Sequence, residues 1–221
     1  MKTYTIEPDL PAQACIIWMH GLGADAQDMM GLANALHIKI PVKHVFLDAP
    51  IRPVTLNNGV PMRAWYDIVS LTEREKEDKA GVLASVTGIE AVIQAQLEDG
   101  FQSRQIMLAG FSQGGAMALF SALQSQVSLG GVIALSAYLP LMADIDLRQA
   151  PTVPIFMAAG LFDPVVVYEF SQKSRNYLQQ HGYSRIDWHE YPMEHAISSQ
   201  EIEDLSAWLN VMAATDHGGG A

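Results

Sequence analysis

The stretch Ile106-Met107-Leu108-Ala109-Gly110-Phe111-Ser112-Gln113-Gly114-Gly115-Ala116-Met117 decides how this chain is read. Its first four residues are continuously apolar, the pattern of a strand buried on both faces. From Gln113 onward the residues are small or apolar and suit a buried helix. Only a turn fits between the two. A strand-to-helix turn this tight strains Ser112 and lifts its hydroxyl above the sheet, and the residues two before and two after must be small. Gly110 and Gly114 meet that need, and Gly115 lets the helix approach the strand. The Gly-x-Ser-x-Gly pattern is short, so its flanking strand and helix carry the inference. A capping serine at a glycine-rich helix start is the plainer alternative.

Working outward, short β-branched apolar runs at 15–19, 44–48, 132–135, 155–158 and 186–191 join 106–109 as strand expectations. Helical patterns at 28–36, 79–98, 113–124, 168–181 and 197–213 separate them. In the longest of these, Val82, Val86, Ile89, Ile93 and Leu97 recur at spacings of four, three, four and four, which is one helical face. Strands alternating with helices predict an α/β fold, a mostly parallel sheet with helices on both faces. Ligands in such sheets bind beyond the carboxyl ends of the strands. Residues 50–77 form the longest irregular stretch, and no insertion long enough for a lid or cap domain is expected. The reading is one domain over 1–213, with 214–221 a disordered tail.

Hydrophobic residues make up 49% of the chain and charged ones 17%, a globular composition. With 13 basic and 24 acidic residues the formal net charge is −11, a field that repels a phosphate backbone and argues against nucleic acid. The same sign argues, less strongly, against stable association with anionic membranes. The first eight residues lack the apolar core of a signal peptide, and no run of about 20 apolar residues is evident. The lone Cys15 sits in an apolar run and reads as a small buried hydrophobe, so a cytoplasmic protein is expected. Exposed apolar surface leaves room for a homodimer, with no interface evident.

A serine hydroxyl needs a base to become a nucleophile. In the strand-turn-helix setting the partners follow in the order serine, acid, histidine. Of the later histidines, His181 ends a helix, His189 lies inside a strand and His217 is in the tail. His195 follows the last strand in a short turn and is the expected base. Asp163, just past the 155–158 strand, is the expected acid, a turn-forming Asp-Pro being its plainer reading. Asp144 and Asp146 read as solvated loop, and Asp187 begins a strand at the wrong end. An oxyanion would take the backbone N–H of Gln113 and one from the early loop His20-Gly21-Leu22-Gly23, with Leu22 the expected donor. His20 has no ligand companion at zinc spacing, so it reads as a loop anchor. No metal and no cofactor is called for.

Five stretches together, His20-Gly21-Leu22-Gly23-Ala24-Asp25, Met62-Arg63-Ala64-Trp65-Tyr66-Asp67-Ile68, Gly110 to Gly115, Asp163-Pro164-Val165-Val166 and Met193-Glu194-His195, resemble the bacterial carboxylesterases related to acyl-protein thioesterases and lysophospholipases. The resemblance spans nearly the whole chain and implies the α/β-hydrolase fold. It also implies a Ser112, Asp163, His195 triad, an oxyanion hole from Leu22 and Gln113, and Trp65 as a cleft wall. The histidine turn departs from it, reading Pro192-Met193-Glu194-His195 where many relatives have Gly-Met-x-His. The expected partner is a small-molecule ester, the cleft being walled by Trp65, Leu71 and Val165. The expected activity is hydrolysis of small soluble carboxylic esters or thioesters, with acyl-protein thioesterase or lysophospholipase as alternatives. A lipase or peptidase on the same triad, or a catalytically retired binding protein on this scaffold, are the rivals. No triad member is missing, which weighs against the last.

Overall fold

The computed structural model describes residues 1–70 and 77–216. In chain order the elements are β1 (Lys2–Ile6), β2 (Ala14–Met19), α1 (Ala26–Ala35), β3 (Val42–Asp48), β4 (Ile51–Val54), β5 (Val60–Arg63), α2 (Lys79–Glu98), β6 (Ile106–Phe111), α3 (Gln113–Gln124), β7 (Gly131–Leu135), β8 (Ile155–Gly160), α4 (Tyr168–Gln180), β9 (Ile186–Tyr191) and α5 (Ser199–Asp216). Seven strands form one sheet in the order β1-β3-β2-β6-β7-β8-β9. All pairings in it are parallel except β1 against β3.

Every residue of β2 is buried, and successive side chains enter opposite layers. Cys15, Ile17 and Met19 join the core under α2, α3 and α4, with Val82, Ile89, Met117 and Leu178. Ile16 and Trp18 join the other, with Met29 and Leu32 of α1 and Leu205 and Trp208 of α5. Helices thus cover both faces, as the continuous apolar runs require. α3 lies against the middle of the sheet with all residues from Gln113 to Leu123 buried. Parallel strands all deliver their carboxyl ends to one edge, and there the loops after β2, β6, β8 and β9 converge.

Several parts of the structure differ from expectation. β1 is an additional edge strand, largely exposed and without a continuous apolar run. Residues 51–63 form the β4–β5 hairpin, not irregular chain. Pro53 and Pro61 sit directly opposite each other in it. A pair of residues that exchange no ladder bonds can accept two prolines, because neither needs a donor. α5 continues to Asp216, so the expected tail is helical over 214–216; the remainder lies outside the described residues. Finally, α2 is long and apolar enough by composition to cross a membrane, against the expectation of no such run. Val82, Val86, Ile89 and Ile93 instead pack it on the sheet.

Candidate active site

At the turn from β6 into α3, Ser112 adopts φ 55° and ψ −121°, a positive-φ conformation that a side chain occupies only under strain. Its N–H donates to Leu135 O at 2.9 Å, and its carbonyl accepts the first helical bond from Ala116 at 2.9 Å. The glycines are sterically required. A Cβ on Gly110 would strike the backbone of Gly114, and one on Gly114 would strike the backbone of Met19 and His20. One on Gly115 would come within 2.7 Å of Ala137 Cβ.

The turn aims Ser112 Oγ at His195 Nε2, 2.8 Å away. On the far side of the ring, His195 Nδ1 lies 2.6 Å from Asp163 Oδ2. The other oxygen, Asp163 Oδ1, accepts the N–H groups of Val165 at 2.8 Å and Val166 at 2.9 Å. With its carboxylate fully shielded from solvent, Asp163 is fixed by three hydrogen bonds. The acid and histidine loops are laced together as well. Leu161 N–H donates to Tyr191 O at 2.9 Å and Phe162 N–H to Met193 O at 3.1 Å. Gly160 must be glycine there, since a Cβ would meet the carbonyls of Met193 and Glu194 at 2.7 Å. The Phe111 ring packs on His195 with centroids 4.8 Å apart. Serine, imidazole and carboxylate in this order can move a proton off the hydroxyl and hold the resulting imidazolium.

Gln113 is the first residue of α3, so its N–H has no carbonyl one turn back to bind. The loop carrying Leu22 faces it: Gly21 would place a Cβ 3.3 Å from the Phe111 ring and 3.5 Å from Ser112 Cβ. His20 is fully buried and anchors this loop. Its Nε2 accepts Ala49 N–H at 3.1 Å, which leaves Nδ1 to donate to Gly21 O at 2.6 Å. Burial holds its pKa below the ordinary imidazole value, in keeping with a neutral ring.

Trp65 corrects the expectation of a cleft wall. It is completely buried and lies behind the loop. Its indole N–H donates to His20 O at 2.8 Å, its backbone N–H to Gln113 Oε1 at 2.9 Å, and its carbonyl accepts from Ser85 Oγ. Gln113 Nε2 in turn donates to Tyr66 O at 2.8 Å. A large aromatic with a satisfied N–H belongs in such a wedge, not on a wet surface. Val165 does line the cleft above Ser112, beside Leu22, Met29, Phe111 and Ile197. Leu71 lies outside the described residues. Met29, Ile197 and Phe111 escaped the sequence reading as lining residues, because each falls on an apolar helix face or strand end that reads as core.

The rejected residues sit elsewhere. His189 stacks on Phe156 at 4.7 Å and lies 3.1 Å from Asp187. Asp144 pairs with Lys79 and Asp146 with Arg148, each at 2.8 Å. His181 Nδ1 lies 2.8 Å from the Tyr177 carbonyl.

The histidine loop ends in a capping box, Glu201 N–H on Ser198 Oγ at 3.1 Å and Ser198 N–H on Glu201 Oε2 at 3.3 Å. Glu201 is fully buried, and burial pushes its carboxyl up to about 8, helped by Asp204. Below pH 4.5 both folded and unfolded chains hold this proton, so it does not affect stability. Between 4.5 and about 8 only the folded chain holds it, and stability falls as pH rises. Above that range the penalty is complete. Glu201→Gln keeps the cap and removes the charge. It is expected to raise the melting temperature over wild type at about pH 9, with little difference near pH 4, in paired thermal melts.

Comparison with known proteins agrees with this geometry. The phospholipase/carboxylesterase family matches residues 2–213. Acyl-protein thioesterase 1 of Cryptococcus neoformans is 35% identical, over 95% of this chain and 96% of its own. The protein of that name from Mycosarcoma maydis is 36% identical, again over 95% and 96%. These sequence relatives are fungal, not bacterial. The crystal structure of Zea mays acyl-protein thioesterase 2 superposes with a TM-score of 0.82 at 27% identity, covering 96% of this chain and 99% of the maize one. A match along nearly the whole length, on a strained elbow and its converging loops, makes the chain a member of the phospholipase/carboxylesterase family, ester-hydrolysing enzymes of the α/β-hydrolase fold.

Proposed function

We propose that the chain is a serine carboxylesterase acting on small soluble carboxylic esters and thioesters through an acyl-Ser112 intermediate. The observation that carries this is the unbroken hydrogen-bond chain from Asp163 through His195 to Ser112, at 2.6 and 2.8 Å, ending beside the first-turn amide of α3. Ser112 Oγ attacks the acyl carbonyl while His195 Nε2 takes its proton. The N–H groups of Gln113 and Leu22 hold the oxyanion, and the helix N-terminus favours its charge. His195 returns the proton to the departing alcohol or thiol, and water repeats the sequence on the acyl-enzyme. The relatives named as acyl-protein thioesterases support including thioesters. A fluorophosphonate probe tests the reading: the adduct is expected on Ser112, and an adduct on Ser136 or Ser171 would overturn it.

The cleft over Ser112 measures about 510 Å³ and is walled by Leu22, Met29, Phe111, Val165 and Ile197. Each acyl methylene buried there is worth up to about 0.8 kcal/mol, roughly fourfold in kcat/KM. Across p-nitrophenyl acetate, butyrate, octanoate and palmitate, kcat/KM is expected to rise through the shorter chains and then level or fall. Emulsified triolein should be turned over slowly. A jump in rate as substrate passes its solubility limit would refute the preference for dissolved esters. We also read the enzyme as cytoplasmic, in keeping with its single cysteine, a buried thiol that desolvation pushes up to about 12.

A further inference from the structure

At the edge of the sheet opposite the candidate active site, where β6 to β9 begin, lies a pocket of about 300 Å³. We propose that it binds a small phosphate-bearing anion between the guanidinium groups of Arg104 and Arg185.

The charge distribution is the first support. The chain carries a net −11, yet among the described residues the only charged side chains lining this pocket are these two arginines. Pairing is the second. Among the described arginines, Arg52, Arg63 and Arg148 each meet a carboxylate within 3.7 Å, and Arg175 lies over the Trp188 ring at 4.7 Å. Arg104 and Arg185 meet no carboxylate among the described residues. Arg185 is held in place by Thr152 O at 3.4 Å and Met212 Sδ at 3.6 Å, which leaves most of its five N–H donors without a partner among the described residues. An unpaired arginine is ordinary on a surface, but two lining one concavity without a carboxylate form a receptor for an anion.

The geometry favours phosphate. The arginines come from separate segments, Arg104 from the turn before β6 and Arg185 from the turn before β9. Two planar forks can each grip a different edge of a tetrahedral dianion, whereas a carboxylate presents one edge. Ser128 and Thr152 line the same pocket, and a hydroxyl there can serve a remaining oxygen. A volume of about 300 Å³ suits a small molecule.

The test is isothermal titration of the full chain at ionic strength held constant with chloride, using inorganic phosphate in one arm and glycerol 3-phosphate in the other. Saturable one-site binding is expected in at least one arm. Binding in the phosphate arm alone would identify the free ion as ligand, and tighter binding of the ester a phosphorylated metabolite. Arg104→Gln and Arg185→Gln are each expected to weaken binding at least tenfold while circular dichroism stays unchanged, and Ser112→Ala should bind as wild type. Heats no larger than those of chloride, or wild-type affinity in both arginine variants, would overturn the proposal. Loss of affinity in Ser112→Ala would place the ligand in the ester cleft and overturn it too.

Discussion

Ser112→Ala is expected to lower kcat for ester hydrolysis by on the order of 10⁴–10⁶ while leaving the fold intact. The fold should survive because the change removes only Oγ. The backbone bonds of residue 112 to Leu135 and Ala116 remain, and the φ of 55° suits alanine no worse than serine. Only the hydrogen bond to His195 disappears, and that ring is partly exposed and can turn to water. The chemistry has no such substitute, since no other hydroxyl is hydrogen-bonded to His195 among the described residues. Residual hydrolysis should remain above the uncatalysed rate, because the proposed oxyanion donors, the amides of Gln113 and Leu22, would still face attacking water. Burst kinetics with p-nitrophenyl butyrate check this directly. The acyl-enzyme burst should vanish, and a variant that kept it would place the nucleophile elsewhere.

Asp163→Asn is expected to cost about 10⁴ in kcat, although the substitution is nearly isosteric. Asp163 Oδ1 accepts two backbone N–H groups, from Val165 and Val166, while Oδ2 faces His195 Nδ1. An asparagine must turn its carbonyl oxygen toward the two N–H groups, because an NH₂ there would oppose donor to donor. Its NH₂ then faces Nδ1, which becomes an acceptor. That puts the ring proton on Nε2, pointing at Ser112 Oγ, and the imidazole can no longer take the serine's proton. Asp144→Asn should leave kcat unchanged, since Asp144 is an exposed partner of Lys79. If the two variants behaved alike, Asp163 would be only a turn residue.

The inner strands were legible because each is covered on both faces, so burial wrote itself into the sequence as unbroken apolar runs. β1 broke that rule by lying at the edge, where Lys2, Thr3 and Thr5 can occupy a strand that is largely wet. The hairpin escaped because Pro53 and Pro61 mark breaks until one sees them opposite each other. The hydrogen-bonded set of Ser112, His195 and Asp163 was legible from order and spacing, since each member follows closely on the end of a strand. Trp65 was not, because its surroundings come from residues 20, 85 and 113, far apart in sequence. For the same reason the need for glycine at position 160 appears only when the carbonyls of Met193 and Glu194 are brought against it.

The brace formed by Trp65 and Gln113 has a thermodynamic consequence. It ties the carbonyl of His20, the start of α3 and the Trp65-Tyr66 segment into one network of hydrogen bonds. The amides that would meet the oxyanion are therefore ordered when the chain folds, not when the substrate reacts. The activation entropy of acylation should then be small, with the barrier mainly enthalpic. Trp65→Phe, which releases His20 O from the network, would make that entropy more negative even where the rate at a single temperature changed little.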